Sequence, residues 1–430
     1  MRSGFHAKNA GRSAVAAGLF LGLAACSGIL GLTDPTLVDN VGSDGGGSDV
    51  STFDGPAVTD AGSDGAHPCS DLKSDPNNCG ACGHDCLGGA CSNSVCQPAL
   101  VVDGAGKIAP FFMVESADTL YFTSYNTIDV IANVAKIPKS ALAADSGAPA
   151  YTILGDFTQG DGGNMYGDYP YQLSISGGTL DVAITANAYA SNGAYFGGIV
   201  KCTTGGCATT SPPYTVPGID SAGVFTIGSL VVYDGYAFTG NDKIYIANPD
   251  LTSPTEVPFT LSNGEVNSII IDNGIAYVAA ASGVYAFNVT ASSPTPVHLS
   301  TTYADHVAVS GNNVYFTSPV TGNATVQITS AYGVDGGAPR TVASGSDYWK
   351  TPLSIATDND YFYIADEADG TMPNTGKLVR CPLAGCGDNN ANAVVLSTGA
   401  AQFGNPRAVI VDDDAVYWGD RTGKIWKLAK

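Results

Sequence analysis

The sequence PRAVIVDDDAVYWGDRTGKIWKLAK, from Pro406 to Lys430, contains three short apolar runs separated by two polar turns. The runs are Ala408 to Val411, Ala415 to Trp418 and Lys424 to Leu428. Runs of this length, rich in Val, Ile, Tyr and Trp and bounded by Asp and Gly, are typical of strands joined by tight turns. None of them reaches helical length. The stretch therefore predicts a small antiparallel meander.

The same unit recurs six times upstream, and this repetition predicts the fold. The middle strands read LYFT, LDVA, YAFT, AYVA, VYFT, FYIA and VYWG, with their second residues at Tyr121, Asp181, Ala237, Tyr277, Tyr315, Tyr363 and Tyr417. Successive copies lie between 38 and 60 residues apart. A period near 40 residues with longer excursions is typical of four-stranded propeller blades that carry loop insertions. The chain is therefore predicted to be an all-β propeller.

The two ends of the repeat region predict how the ring closes. The seventh copy stops at Lys430 without a fourth strand, and the segment ALVVD, from Ala99 to Asp103, precedes the first copy. An N-terminal strand that completes the last blade would leave no open edge between first and last blades. We therefore predict a seven-bladed β-propeller over residues 97–430. A six-bladed ring is the alternative, and it would discard the second copy, LDVA.

Residues 1–68 carry the signals of an exported protein. Arg2, Lys8 and Arg12 precede an apolar segment too short to span a bilayer, which predicts a signal peptide over residues 1–25. The sequence Leu23-Ala24-Ala25-Cys26 resembles the lipobox of bacterial lipoproteins, and that resemblance implies acylation of Cys26. Ordinary secretory cleavage is the alternative. Residues 26–68 are rich in Gly, Ser and Asp, which predicts a disordered tether.

The cysteines predict a second small module and two local bridges. Six of the 11 cysteines of the chain fall between residues 69 and 96, at Cys69, Cys79, Cys82, Cys86, Cys91 and Cys96. In an exported chain they predict three disulfides of unknown connectivity, and a zinc site using Cys79, Cys82 and His84 is the alternative. Cys202 with Cys207 and Cys381 with Cys386 lie after third strands of two blades, where each pair predicts a local disulfide.

The sequence SDPNNCGACGHDCLGGAC, followed by repeats with VYW and GxIxK segments, resembles the cysteine-rich propeller lipoproteins of myxobacteria. The repeats are more distantly similar to NHL and YWTD propellers. Copies one to three depart most from the repeat, notably where LDVA replaces an aromatic pair. The resemblance implies an architecture and an outer-membrane or cell-surface location, with the lipid anchor holding the protein to the membrane, but no activity.

The acidic net charge of the chain argues against nucleic acid as a partner. The formal net charge is -21, with 39 acidic and 18 basic residues. Nucleic-acid binding requires the opposite balance and is excluded. Such acidity favours solubility and attracts cations.

The long loops predict one binding face. If the first strand of each blade is innermost, the loops from strand two to three and from strand four to the next blade share one side, here named the long-loop face. The other side, with tight turns such as Asn273-Gly274 and Asp234-Gly235, is named the short-turn face. The start of the closing strand, next to the cysteine module, should lie on the short-turn face.

Aromatic residues in the long loops are the predicted ligand contacts, because an aromatic plane with polar neighbours suits sugar rings and partner side chains alike. These residues are Tyr166, Tyr169, Tyr189, Tyr195, Tyr348, Trp349 and Phe403. The alternative is that these aromatics fasten long loops onto the blades. The predicted function is a non-catalytic binding module for an envelope glycan or protein.

Support for catalysis or cofactors is weak in the sequence. His306 begins an inner strand and could reach the channel, but a single histidine at a strand end is usually structural. Asp366 and Asp369 are the candidate calcium ligands, and otherwise neither a metal nor another cofactor is predicted. The alternatives to a binding module are a carbohydrate-active lyase or hydrolase and a structural protein of envelope assembly.

Overall fold

The computed structural model describes residues 71–430, except for 105, 127–130, 143–150, 158–168, 186–197, 208–213, 218–223, 228–229, 236–242, 259–260, 262–265, 321, 335–337, 346–347, 368–374 and 399–404. The predicted signal peptide, the tether, Cys26 and Cys69 lie outside the described residues. Among the described residues, no helix combines the length and the apolar character needed to cross a bilayer.

The propeller has seven blades, each an antiparallel sheet of four main strands, and in the first six blades these strands follow sequence order. The first three blades comprise β4 Pro110–Ser116, β5 Thr119–Asn126, β6 Ile131–Pro138 and β7 Thr152–Asp156; β8 Tyr169–Ser176, β9 Thr179–Thr185, β10 Gly198–Thr203 and β12 Tyr214–Pro217, with β11 Gly206–Cys207 also paired to β10; and β13 Val224–Ile227, β14 Leu230–Gly235, β15 Lys243–Ala247 and β16 Thr255–Glu256.

The next three blades follow the same order. They comprise β17 Val266–Asp272, β18 Ile275–Ala280, β19 Gly283–Asn288 and β20 Val297–Ser300; β21 Val307–Ser310, β22 Asn313–Ser318, β23 Thr325–Ser330 and β24 Arg340–Ala343; and β25 Pro352–Thr357, β26 Tyr361–Asp366, β27 Lys377–Pro382 and β28 Val394–Thr398. A single 3-10 turn, Asp388–Asn390, lies between β27 and β28.

The seventh blade confirms the predicted closure. It contains β29 Pro406–Val411, β30 Ala415–Asp420 and β31 Lys424–Ala429, and its fourth strand is β3, Ala99–Asp103. Leu100 pairs with Trp426 and Asp103 pairs with Lys424 in antiparallel register. The LDVA copy forms the second strand of a complete blade, so the six-bladed alternative is wrong.

The third blade corrects one strand assignment. The sequence predicted YAFT as its second strand and Asp234-Gly235 as a turn. Instead β14 begins at Leu230, and Asp234 and Gly235 pair with Ile244 and Lys243 of β15. The run LVVY is itself apolar enough to form the second strand, which therefore begins earlier in the chain than the segment YAFT that the sequence predicted. Residues 236–242, which include YAFT, lie outside the described residues.

The core consists of apolar layers between neighbouring blades. In one layer, Tyr315 of the fifth blade packs 5.4 Å from Phe362 of the sixth, measured between ring centroids. The aromatic second position of the repeat is buried in every blade where the residue is Tyr and its side chain is described. Burying rings of this size against the next blade supplies most of the apolar contact that holds a propeller together.

A threonine at the fourth position of the repeat links blades through hydrogen bonds. Thr317 Oγ1 accepts from the His306 N–H (3.1 Å) in its own blade and donates to the Leu353 carbonyl (3.0 Å) of the next. Thr123 does the same between the Phe112 N–H and the Tyr171 carbonyl. Both threonines are fully buried. A motif position that looked like ordinary strand sequence is therefore an inter-blade contact.

The cysteine module is bridged internally and contacts the last blade. Cys79 pairs with Cys91 and Cys86 with Cys96, and Cys82 is also disulfide-bonded. β1 Cys91–Ser92 and β2 Val95–Cys96 form its two-stranded sheet. Disulfides thus replace the zinc alternative. The ring nitrogens of His84 lie 2.6 Å from the Cys79 carbonyl and 2.8 Å from the Lys430 carbonyl, at the short-turn end of β31, as the position of the closing strand predicted.

The two predicted local disulfides are also present. Cys202 pairs with Cys207 in the second blade, and Cys381 pairs with Cys386 in the sixth. Each bridge pins the turn that follows a third strand. Of the 11 cysteines, nine are described and all nine are disulfide-bonded.

Candidate functional site

The central channel contains a cavity of about 430 Å³. All of its lining residues belong to the first strands of the seven blades or, for His306, directly precede one. This confirms that the first strand of each blade is innermost. Most of the lining is Val, Ile, Ala, Phe and Met, with a few polar groups such as His306, Ser268 and Glu115. A largely apolar cavity with few polar groups is the usual form of a small-molecule site, and the volume falls within the typical range of about 300–1,000 Å³.

Bulges at the start of the inner strands aim side chains at the long-loop end of this channel. The register shifts after Pro110, Pro352 and Pro406, so one extra residue is inserted in each of these strands. Proline donates no hydrogen bond and is tolerated at the first position of a strand and beside a bulge. The inserted residues include Phe111 and Arg407, which therefore stand at the rim.

Contacts between side chains run around the long-loop end of the channel and, between Phe112 and His306, cross it. The Arg407 guanidinium lies 4.8 Å from the Phe111 ring centroid, and Phe111 lies 4.6 Å from the Tyr171 ring. Beneath them, Phe112 of the first blade stacks 5.8 Å from His306 of the fifth. The described side chains thus form a roof, named here the channel roof: Arg407, Phe111, Tyr171, Phe112 and His306.

Gln172 adds a hydrogen-bonded bridge to this roof. Its Oε1 accepts from the Ile269 N–H at 2.9 Å, and its Nε2 donates to the Ile269 carbonyl. Gln172 belongs to the second blade and Ile269 to the fourth. The side-chain amide therefore pairs with the inner edge of a strand two blades away, satisfying backbone groups that face the channel.

His306 is held by an acidic neighbour. Its Nδ1 lies 2.9 Å from Asp305 Oδ2, and the Tyr303 hydroxyl donates to Asp305 Oδ1 at 3.2 Å. His306 also occupies the place in its blade that Phe112 occupies in the first, as the matching bonds to Thr317 and Thr123 show. From its position at the start of an inner strand, His306 could reach the channel, and it does line the cavity.

Four cationic side chains gather on the long-loop face beside the roof, and they are named here the basic cluster: Lys350, Lys377, Arg407 and Arg421. Glu367 Oε1 lies 3.1 Å from Arg407 Nε and 3.4 Å from Arg421 Nη1. Glu367 and Asp366, the carboxylates described at this site, are both buried, whereas Lys350 is exposed and Arg421 is about one-third exposed. Within the described residues, this part of an acidic chain presents positive charge to solvent.

Lys377 is packed against two of the predicted ligand-binding aromatics. Its Nζ lies 3.3 Å from the Tyr348 ring centroid and 5.3 Å from that of Trp349, and it donates to the Tyr348 carbonyl. Burial lowers the pKa of Lys377 to about 8, although the Asp366 charge opposes the shift. Tyr348 is half-buried, so part of its ring remains available.

Trp349 does not form part of an exposed aromatic surface. Its side chain is 1% exposed, and its Nε1–H donates to Asn390 Oδ1 at 3.1 Å. It packs with Ile355, Phe362 and the Cys381–Cys386 bridge. Trp349 therefore fastens its loop to the sixth blade, which was the alternative to a ligand contact.

The carboxylate of Asp366, a candidate calcium ligand, accepts hydrogen bonds from the backbone. It accepts from the N–H groups of Lys350 (3.1 and 3.2 Å) and Thr351 (2.6 Å). These bonds hold the loop that enters β25. Asp369 lies outside the described residues, and calcium binding stays a prediction.

The other predicted ligand contacts cannot be placed. Tyr166, Tyr189, Tyr195 and Phe403 lie outside the described residues, and Tyr169 begins β8 with its side chain likewise outside them. Sequence reasoning overlooked Arg407, Arg421, Lys377 and Glu367. The available signal was PRAV at Pro406, where a strand-initial proline precedes an arginine, but proline alone does not predict a bulge.

A second cavity, of about 320 Å³, lies at the short-turn end of the channel. It is lined by the turns after β25 and β29 and shares Glu115, Thr357 and Val411 with the channel cavity. Its carboxylates are Glu115, Asp358, Asp360, Asp412 and Asp413. We name it the acidic cleft. Lys139 contacts Glu115 (2.6 Å) and Asp412 (2.8 Å), and Lys430 contacts Asp358 (3.0 Å).

No known family model matches the sequence, and no curated protein matches it. Several solved propellers are similar in shape. A virginiamycin B lyase from Staphylococcus aureus is 11% identical with a TM-score of 0.49, covering 77% of this chain and 98% of its own. BamB from Moraxella catarrhalis is 11% identical with a TM-score of 0.42, covering 74% and 82%. The computationally designed Ika8 protein is 9% identical with a TM-score of 0.46, covering 77% and 100%. Similarity at this level carries no information about activity or ligand.

Proposed function

We propose that this chain is a cell-envelope lipoprotein, acylated at Cys26, whose propeller is a non-catalytic module that binds an acidic glycan at the long-loop face. The basic cluster carries the proposal. In a chain of net charge -21, exposed Lys350 and the one-third-exposed Arg421 lie on the same face as the half-buried Tyr348 ring, while the neighbouring carboxylates Asp366 and Glu367 are buried. A carboxylated sugar offers both a charge for the guanidinium and a ring for the aromatic plane.

Arg421 is the side chain best placed to meet such a ligand. Its contact with Glu367 is long, at 3.4 Å, and Glu367 also holds Arg407 at 3.1 Å. Glu367 Oε1 therefore lies within ion-pair distance of two guanidinium groups, and Arg421 is the more exposed of the two. Arginine presents several donors in a planar fork that matches a carboxylate. A protein ligand with exposed carboxylates is the second form that this site would accept.

The test uses the whole mature chain, made soluble by Cys26→Ser, with polygalacturonate and the neutral polymer dextran as probes. We expect binding to polygalacturonate alone, weakened at least about tenfold by Arg421→Gln, because one charge-assisted hydrogen bond contributes about 1.5–3 kcal/mol. The matched control is Arg340→Gln, an exposed arginine on the outer strand β24. Equal affinity for dextran, or equal loss in both variants, would remove the acidic glycan from the proposal.

The enzyme alternative has one observation in its favour, the Asp305–His306 pair at the channel roof. A histidine oriented by a carboxylate is a common general base. Incubation with polygalacturonate separates the two functions, because a binding module releases no shorter sugars. Sugar release that is abolished by His306→Asn would establish the enzyme. If the chain neither binds nor cleaves polygalacturonate, the third alternative remains, a role in envelope assembly.

The anchor has an independent test. Palmitate incorporation and recovery with membranes are expected for the full chain and are expected to disappear in Cys26→Ser. Export of an unacylated chain with its N-terminus at another residue would support ordinary secretory cleavage instead.

A further inference from the structure

We propose that the channel cavity is a second binding site, entered from the short-turn face, and that its ligand is a small organic cation with an apolar body. The site lies on the face opposite the basic cluster and does not rest on the function proposed above. The inference stands on the shape of the channel, on the charge of the acidic cleft and on one buried hydroxyl.

The channel is obstructed at one end and continuous with the cleft at the other. At the long-loop end, side chains from the first, second, fifth and seventh blades meet in the channel roof, and Gln172 bridges to Ile269 beneath it. At the short-turn end, Glu115, Thr357 and Val411 line both cavities. Among the described residues, the open route into the channel therefore passes through the acidic cleft.

The walls select an apolar body of limited length. Along the inner strand of the fifth blade, the lining runs from His306 at the roof through Val307 and Ala308 to Val309 near the cleft. Three residue steps along a strand span about 10 Å. Val, Ile and Ala from the other inner strands complete the wall. An apolar chain that moves from water into the channel cavity is stabilised in proportion to the apolar area that it buries.

The cleft adds negative charge at the entrance. Five carboxylates line it, and Lys139 and Lys430 pair with three of them, Glu115, Asp412 and Asp358. Asp360 and Asp413 are exposed and make no ion pair within the described residues. Hydrogen bonds from Lys139 and from two backbone N–H groups outweigh burial and lower the pKa of Asp412, so this carboxylate is ionised at neutral pH. The complementary head group is an amine or a guanidine.

A buried hydroxyl independently indicates an occupant. Ser268 lines the channel cavity, its residue is 1% exposed, and its Oγ has no hydrogen-bond partner among the described residues. A buried polar group without a partner has lost its hydration without replacement, and protein interiors rarely leave one unpaired. A hydrogen-bond partner for this hydroxyl has to come from a molecule within the cavity, either water or a polar group of a ligand.

The test compares octylamine, octanol and octanoate, which share one apolar chain and differ in head-group charge, by titration calorimetry on the whole mature chain. We expect octylamine to bind most tightly, octanoate least, and octylamine binding to weaken as salt screens the cleft. Equal affinity for the three, or preference for octanoate, would overturn the assignment of a cation.

Two variants locate the site. Val309→Trp fills the channel cavity and is expected to abolish octylamine binding, provided that its thermal unfolding matches that of the unmodified chain. Asp413→Lys changes only an exposed turn and is expected to weaken binding about threefold, since it removes one attractive charge from the cleft and adds a repulsive one. Asp388→Lys, the same change on an exposed residue outside the cleft, is the control. Unchanged binding in Asp413→Lys, or equal weakening in its control, would overturn the proposal.

Discussion

Lys139 Nζ lies 2.8 Å from Asp412 Oδ2, which joins the end of the first blade's third strand to the first turn of the seventh blade. The same ammonium group donates to Asp412 and also lies 2.6 Å from Glu115 Oε2, and the side chains of Lys139 and Asp412 are 17% and 15% exposed. The pair therefore crosses the seam at which the ring closes, in addition to the pairing of β3 with β31.

We expect Lys139→Met to destabilise the protein by about 1–3 kcal/mol, because two carboxylates would lose the cation that compensates their partial burial. Chemical denaturation of the mature chain measures the change. Lys243→Met removes a pair of similar distance, 2.8 Å to Glu256, whose side chains are exposed. Its expected cost is below about 1 kcal/mol. Equal losses in the free energy of unfolding for the two variants would show that the partly buried position between the blades does not strengthen the Lys139 ion pair.

Acid should weaken the same seam. Hydrogen bonds from Lys139 and the N–H groups of Ala415 and Asp414 outweigh the opposing effect of burial and hold the pKa of Asp412 below its ordinary value of 3.8. A carboxyl group with a depressed folded-state pKa contributes stability that is present above the unfolded pKa and lost as pH falls through the folded pKa. We expect the free energy of unfolding to fall below about pH 4, and less steeply in Asp412→Asn. Parallel pH curves for both proteins would contradict this.

Lys377 should titrate near pH 8, since burial lowers its pKa to about that value. In NMR spectra of lysine-labelled protein, we expect the Lys377 side-chain resonance to titrate about two pH units below the ordinary lysine value of 10.5. That resonance should vanish in Lys377→Arg and persist in Lys350→Arg. Because the unfolded chain binds the proton up to its ordinary value of 10.5, this lysine should make stability rise with pH between about 8 and 10. A resonance that titrates with the other lysines would refute the burial of this amine.

The threonine contacts between blades should be worth more than ordinary surface hydrogen bonds. Thr317→Val keeps the shape but leaves the His306 N–H and the Leu353 carbonyl without their partner. We expect a loss of about 1–3 kcal/mol in the free energy of unfolding. Thr341→Val, at an exposed position in β24, is the control and is expected to change it by less than about 0.5 kcal/mol. A neutral Thr317→Val variant would show that the backbone groups find other partners.

The repeat pattern was sufficient for architecture because blade strands are short, apolar and regularly spaced. It predicted seven blades, the closing strand at Ala99 and the local bridges of Cys202 and Cys381. It failed at Asp234-Gly235, where turn-forming residues lie inside a strand because Ile244 and Lys243 pair with them. Turn propensity is a local signal, and strand pairing overrode it.

The candidate sites were harder to predict because they depend on contacts between distant blades. Trp349 looked like a ligand contact, yet it is buried against the sixth blade. Arg407 and Glu367 are 40 residues apart in sequence and meet through a bulge that no single-residue preference indicates. The acidic cleft likewise combines turns from the sixth and seventh blades with Glu115 of the first. Periodicity identifies strands, whereas sites arise from the side chains that strand register brings together.

The pairing of β3 with β31 also sets an order of events during synthesis. β3 is the first propeller strand to leave the ribosome, but its partner comes more than 300 residues later, with Leu100 matched to Trp426. Contacts between residues so distant in sequence are slow to form, because a long loop must close first. Six blades can therefore assemble while the first strand still has an unpaired edge. β31 completes the ring, so a truncation that removes it would leave both β3 and β30 exposed to pairing with other molecules.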